Sequence, residues 1–134
     1  MKNKKAFIYI GGSYPQIKGI KAIKDSGLSV ILIDKSELAP CIEYADHHIK
    51  LSVTNHKKII DFIRSELGSY EIVGIYGIGD YTTKTITHLR NFLKLNSNRY
   101  SDLENFSNKI YTHKLWDKGK FKKPKMLWSG KLTP

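Results

Sequence analysis

Two glycine turns and one acid carry the residue types that could do chemistry in this chain of 134 residues. The first turn is Gly11-Gly12-Ser13-Tyr14-Pro15-Gln16, directly after the apolar run Ala6–Ile10. Glycine lets backbone amides come close to a ligand, and a helix starting beyond it adds partial positive charge. Asp34 closes the next apolar run, at the spacing where an acid meets a ribose hydroxyl. The second turn, Gly77-Ile78-Gly79-Asp80, leads into Tyr81-Thr82-Thr83. Asp80 reads equally well as a helix N-cap or as a ligand contact. Neither turn spells a standard nucleotide motif. Gln16 stands where a dinucleotide fingerprint has its third glycine, and no Lys-Ser or Lys-Thr pair follows to make a phosphate loop. Three readings stay open: an NAD(P) site, a tight turn without a ligand, and a different small ligand over the turn.

The remaining reactive side chains point away from catalysis. His47 and His48 are adjacent, so on a strand they face opposite sides. His56, His88 and His113 fall on separate predicted helices with no partner four residues away, and are expected at the surface or at caps. No metal site is expected. Cys41 is the single cysteine, which excludes an internal disulfide and a zinc site built on several thiolates. Beside Pro40 it reads as a small buried residue. No nucleophile, histidine and acid fall in a triad order, so no catalytic residue is expected in this chain.

Composition narrows the class. The net charge is +11, from 23 Lys and Arg against 12 Asp and Glu. The basic residues are dispersed, and the densest group is Lys118, Lys120, Lys122, Lys123 and Lys125. A solvated surface accounts for this better than a nucleic-acid-binding module, because no basic stripe interleaved with aromatics appears. No apolar run approaches the roughly 18 residues that span a bilayer. The single cysteine fits a reducing cytoplasm, where this protein is expected to work.

The elements that must position the two turns follow from periodicity. Lys4–Ile10 reads as a buried strand, with a helix from Pro15 to Gly27 and a strand over Leu28–Ile33. A third strand is expected at His48–Val53. Thr54 is expected to cap the next helix, whose stripe is Ile59, Ile60, Ile63 and Leu67. Ile72–Tyr76 is the fourth strand, and a helix through Ile86, Leu89 and Leu93 reaches Asn96. Together they predict an α/β fold, a doubly wound parallel sheet with helices on both faces. The expected core includes Phe7, Ile8, Ile10, Ile20, Ile23, Val30, Leu32, Ile63, Val73, Ile75 and Leu89. Farther on, Ser101–Glu104 has capping-box form, a helix covers Ser107 to Lys118, and Lys125–Trp128 reads as a strand in a short extended tail.

Taken in order, the pattern is a Gly-Gly turn with Gln16, a strand ending in Asp34, and an Ala39-Pro40…Ala45-Asp46 segment. A helix led by Asn108-Lys109 and a Pro124-Lys125 strand complete it. This order resembles the N-terminal, pre-ATP-grasp domain of ATP-grasp ligases, with the carbamoyl-phosphate-synthase-like and biotin-carboxylase-like members most similar. The resemblance implies a sheet order of 3-2-1-4, a Rossmann-like domain over residues 1–100, and residues 101–134 leading into an ATP-grasp domain. It implies a parent enzyme that uses ATP and Mg2+ to join a carboxylate and an amine through an acyl phosphate. The chain alone is then expected to retain neither ATP nor Mg2+ and to lack turnover. Gly11, Gly12, Ser13, Gln16, Asp34, Gly79 and Asp80 become substrate-binding candidates, and Lys109 the residue that reaches ATP phosphate. The expected partners are a small-molecule substrate and the ATP-grasp domain, with no membrane and no nucleic acid, and a homodimer is open to it. The sequence departs from the family at Lys118–Lys123, which has Gly119 but lacks the usual second proline.

Overall fold

A computed structural model describes residues 4–96 and 108–119, together with Lys122 and Lys125. The chain divides into two units at Ser97. In the first, β1 (Lys4–Ile10), α1 (Ile17–Asp25), β2 (Ser29–Ile33), β3 (His47–Ile49), α2 (His56–Glu66), β4 (Tyr70–Gly77) and α3 (Asp80–Phe92) follow one another. All three strand pairings are parallel, and the order is β3-β2-β1-β4, as the resemblance implied. The second unit contains α4 (Lys109–Lys118), where Asn108 caps the helix by accepting the Ile110 and Tyr111 amides at 3.0 and 3.2 Å.

Side-chain alternation on the central strands sorts the core into two layers. Ala6, Ile8 and Ile10 of β1 join Ile31 and Ile33 of β2 on one face, under Ile59 and Ile63 of α2 and Leu89 of α3. Tyr9, Val30 and Leu32 occupy the other face, under Ile20 of α1 and beside Cys41. Each such side chain taken fully out of water contributes about 1.5–3 kcal/mol, which makes this packing the main support of the sheet. A sheet covered on both faces is the doubly wound α/β architecture, and it leaves the carboxyl ends of the strands open for function.

Several boundaries differ from the periodicity reading, each for a local reason. Strand β3 stops at Ile49 rather than Val53, because the Leu51 amide turns back onto the Ile49 carbonyl at 2.9 Å. Asn55, not Thr54, caps α2, accepting the Lys58 amide at 3.2 Å, while the Thr54 hydroxyl pairs with Ser52 at 3.0 Å. Helix α3 ends at Phe92 instead of reaching Asn96. There the Leu95 amide returns to the Arg90 carbonyl at 2.8 Å and Lys94 takes a left-handed φ of 56°.

Of the expected core, Ile8, Ile10, Ile20, Val30, Leu32, Ile63, Ile75 and Leu89 are buried. Phe7 and Ile23 are half-buried, and Val73 is 36% exposed. A bulge explains Val73. The register steps from Ala6↔Ile72 to Phe7↔Gly74, so Val73 has no partner on β1 and leaves the alternation. The capping box at Ser101–Glu104 and, apart from Lys125, the strand at Lys125–Trp128 lie outside the described residues.

Candidate functional site

The order β3-β2-β1-β4 reverses direction between β1 and β4, so both glycine turns emerge side by side at the carboxyl ends of adjacent strands. At the first turn, Gly11 holds a φ of 90°, which only glycine adopts without strain. Gly12 packs against Ala39 so closely that a β-carbon there would lie 2.9 Å from the Ala39 Cβ. The Ala39-Pro40-Cys41 segment thus seats on the turn, and the Cys41 amide donates to the Gly12 carbonyl at 3.0 Å.

The first three amides of this turn are already spent. Gly11 N–H donates to the Ile33 carbonyl at 2.8 Å, and Gly12 N–H to the Asp34 Oδ2 at 2.7 Å. Ser13 N–H donates to the Gln16 Oε1 at 3.2 Å. A pyrophosphate cradle needs such donors free and pointing at the ligand. Here a carboxylate sits on one of them. Gln16 is only 1% exposed, and its amide group lies behind Gly11 as a buried support of the turn. Asp34 is equally engaged, since its second oxygen accepts the Ser36 amide at 2.8 Å.

The second turn is built around Gly79, whose φ is 107°. Its carbonyl accepts the Thr82 amide at 3.1 Å and the Thr82 hydroxyl at 2.8 Å, which starts α3. A β-carbon on Gly79 would fall 2.6 Å from the Tyr81 ring, so the bare glycine seats that ring. Asp80 is the exposed first residue of α3.

Between these parts lies an open cleft of about 400 Å³, lined by Gly11, Asp34, Lys35, Ser52, Thr54 and Tyr81, with Val53. Of the sequence candidates it brings together Gly11 and Asp34. Gly12, Ser13, Gln16, Gly79 and Asp80 do not line it. Lys109 opens α4 in the second unit, an exposed first residue of the helix. Lys35, Ser52, Val53, Thr54 and Tyr81 line the cleft but were absent from the sequence candidates, Thr54 having been read only as a helix cap. Position could have found Lys35, which follows the β2 run, but Ser52 and Val53 fell inside the strand expected at His48–Val53 and join the loop only because β3 stops at Ile49.

The cleft offers a cation, a carboxylate and three hydroxyls, which suits binding of a small polar molecule. It offers no activated nucleophile. The Cys41 thiol is buried and donates to the Ser13 carbonyl at 3.3 Å, and burial, with Asp34 and Glu43 nearby, pushes its pKa up. Among the described residues no three His, Cys, Asp or Glu side chains come together to hold a metal. Asp34 is the one acid among the residues lining the cleft, so the described residues offer no set of carboxylates to hold Mg2+. No described helix is long and apolar enough to cross a membrane.

A doubly wound domain with a ligand-sized cleft over its switch point is the class that this fold and site define. The model of the PylC-like N-terminal domain family matches residues 8–96, and the chain belongs to that family. Membership bears out the sequence resemblance to the N-terminal domain of ATP-grasp ligases. No curated protein matches the chain. Among solved structures, phosphoribosylglycinamide synthetase from Anaerococcus prevotii is similar at 16% identity and a TM-score of 0.71, over 89% of this chain and 30% of that one. L-amino acid ligase from Bacillus licheniformis matches at 15% identity and a TM-score of 0.71, over 92% and 32%. N5-carboxyaminoimidazole synthetase from Staphylococcus aureus, complexed with ADP, matches at 16% identity and a TM-score of 0.65, over 90% and 31%. The chain therefore spans about a third of the length of these proteins, and the likeness establishes the shared fold.

Proposed function

We propose that this chain is the substrate-side domain of an ATP-dependent carboxylate–amine ligase, and that the cleft over Gly11, Asp34 and Tyr81 receives the acceptor substrate. The observation that carries this reading is the cleft's place at the switch point, beside a turn whose first three amides are already engaged. Lys35 is exposed and in no ion pair among the described residues, so it can meet an anionic group of a small molecule. Ser52, Thr54 and Tyr81 add hydroxyls that both donate and accept. Gly12 and Gln16 serve the site from behind, by fixing the turn.

In the parent enzyme, ATP and magnesium would be held by the part that follows, and a carboxylate would be activated as an acyl phosphate before an amine captures it, as in carbamoyl-phosphate-synthase-like members. The ADP-bound Staphylococcus aureus structure supports a nucleotide in such a parent. Lys109 is the residue of this chain assigned to ATP phosphate, and the cytoplasm supplies the ATP.

The test is a titration of the isotope-labelled chain, followed by amide shifts, with free amino acids and short dicarboxylates in one arm and NAD+ in the other. Shifts at Gly11, Lys35, Thr54 and Tyr81 with an amino acid or a dicarboxylate are expected. Saturable shifts over Gly11–Gln16 with NAD+ alone would overturn the reading in favour of a dinucleotide site.

A further inference from the structure

Strand β4 stands last in the order β3-β2-β1-β4, so among the described strands only its β1 side is paired. Against it lies a cavity of about 340 Å³ that shares no residue with the cleft. Two features of the sequence make the room. The bulge takes Val73 out of the alternation, and the next residue, Gly74, has no side chain to fill the space. A β-carbon on Gly74 would run into the Phe7 ring, so the glycine also lets that ring lie across β4. Leu95, in the turn after α3, adds a third apolar wall beside Phe7 and Val73.

Arg90 is the one charged group among the described residues that line this cavity, and no acid lines it. The guanidinium is half-buried, and its Nη2 donates to the Ile75 carbonyl at 2.7 Å, which ties it to β4. It enters no ion pair among the described residues, so its remaining N–H donors are left for a ligand. The bond to Ile75 also sets Arg90 in the path of a peptide laid along β4, so a small molecule fits better than an added strand. The charge of that molecule follows from the surroundings. Helix α3 ends at Phe92, just before the Leu95 wall, and a helix carboxyl end carries partial negative charge. One guanidinium beside that end, with no second cation in the lining, suits a monoanion better than a phosphate dianion. A planar carboxylate matches the parallel N–H pair of arginine, and the Asn96 amide adds a donor and an acceptor. Apolar walls with a few polar groups, in a space of about 300–1,000 Å³, are the usual make-up of a small-molecule site.

We propose that this cavity is a second ligand site, which takes a small monocarboxylate with an apolar or aromatic tail. The carboxylate pairs with Arg90, and the tail lies against Phe7, Val73 and Leu95, over the bare backbone of Gly74. None of these residues lines the cleft, so the site stands apart from the acceptor reading above.

The experiment titrates the isotope-labelled whole chain with sodium benzoate and follows the Arg90 Nε–H signal by NMR, with the amides of Val73, Gly74, Ile75, Leu95 and Asn96. Saturable shifts at these groups are expected at millimolar benzoate. Acetate, which lacks the tail, and benzamide, which lacks the charge, should each bind about tenfold more weakly or worse. Arg90→Gln keeps an amide donor for the Ile75 carbonyl but removes the charge, and should weaken benzoate by about tenfold or more. Four results would each overturn the site: no saturable shifts with benzoate, shifts confined to Gly11, Lys35, Thr54 and Tyr81, acetate or benzamide binding as tightly as benzoate, or inorganic phosphate binding more tightly. Undiminished benzoate binding by a folded Arg90→Gln chain would overturn it too. Where that variant does not fold, the comparison of benzoate, acetate and benzamide on the natural chain decides alone. The cleft reports through different amides, so failure of either site is read without the other.

Discussion

Asp34 holds Gly12: its Oδ2 accepts the Gly12 amide at 2.7 Å across 22 residues of sequence. The same carboxylate reaches the Ser36 amide, so one side chain braces the β1 turn against the loop after β2. The acid that reads as a ribose contact in the sequence is here the anion that occupies the turn. Asp34→Asn exchanges a charged acceptor for a neutral amide and should destabilise the chain by about 1.5–3 kcal/mol. Urea unfolding should show a lower midpoint with an unchanged slope. An unchanged midpoint would mean that the brace is not structural.

The bulge separates two neighbours that sequence alone treats alike. Val73 is 36% exposed and Ile75 is fully buried. Val73→Thr should therefore stay within about 0.5 kcal/mol of the natural chain. Ile75→Ala should cost about 2–5 kcal/mol, because it leaves a cavity under α3. Thermal unfolding of the two variants side by side checks the difference, and equal losses would place the bulge elsewhere.

Asp46 predicts an acid-side effect. Its carboxylate accepts the Val30 amide at 2.8 Å and pairs with Lys24 at 3.1 Å. The Val30 bond first, and Lys24 after it, hold its pKa below the usual 3.8. A depressed acid stabilises the fold above its unfolded value, and that contribution disappears as pH falls through the folded value. Asp46→Asn should thus be weaker than the natural chain near neutrality by about 1 kcal/mol. Below pH 3.8 the gap should close. Urea midpoints measured across that range decide it, and a gap independent of pH would remove the carboxylate's charge from the account.

Lys109 tests the nucleotide side of the proposal. A lysine at the first position of α4 sits against the positive end of the helix dipole, so helix stability does not favour it there. In the enzyme that carries the ATP-binding part, Lys109→Ala should weaken ATP by roughly ten- to a hundredfold, the worth of a charge-assisted bond of about 1.5–3 kcal/mol. Lys18→Ala, on the exposed face of α1, should leave ATP affinity within about twofold, the ordinary range for a solvated surface change. Lys21 would be a poorer control, since its ammonium lies 4.3 Å over the Tyr44 ring. Equal affinities for the Lys109 and Lys18 variants would return Lys109 to the solvated surface.

The sequence by itself determined the order of elements, because each leaves a mark within a few residues. Alternation along Lys4–Ile10 marks β1, and Gly27, with a φ of 83°, marks the end of α1. The two glycine turns were legible for the same reason, as was their adjacency once the strand order was supplied. What only the tertiary structure decided depends on residues far apart in the chain. Whether Asp34 faces a ligand or the Gly12 amide is set by how β1 and β2 pair, and no local spacing encodes that choice. The bulge at Val73 arises from register against β1, which a strand's own alternation cannot show. Helix α3 is rich in threonine, a weak helix former, and holds because Thr82, Thr85 and Thr87 are buried with Leu89. His56 and His88 are 32 positions apart in the sequence and carry no shared motif, and only the packing of α2 on α3 brings their rings to 3.7 Å. Local order follows from short-range sterics and hydrogen bonds, whereas these meetings follow from burying two helix faces on one sheet.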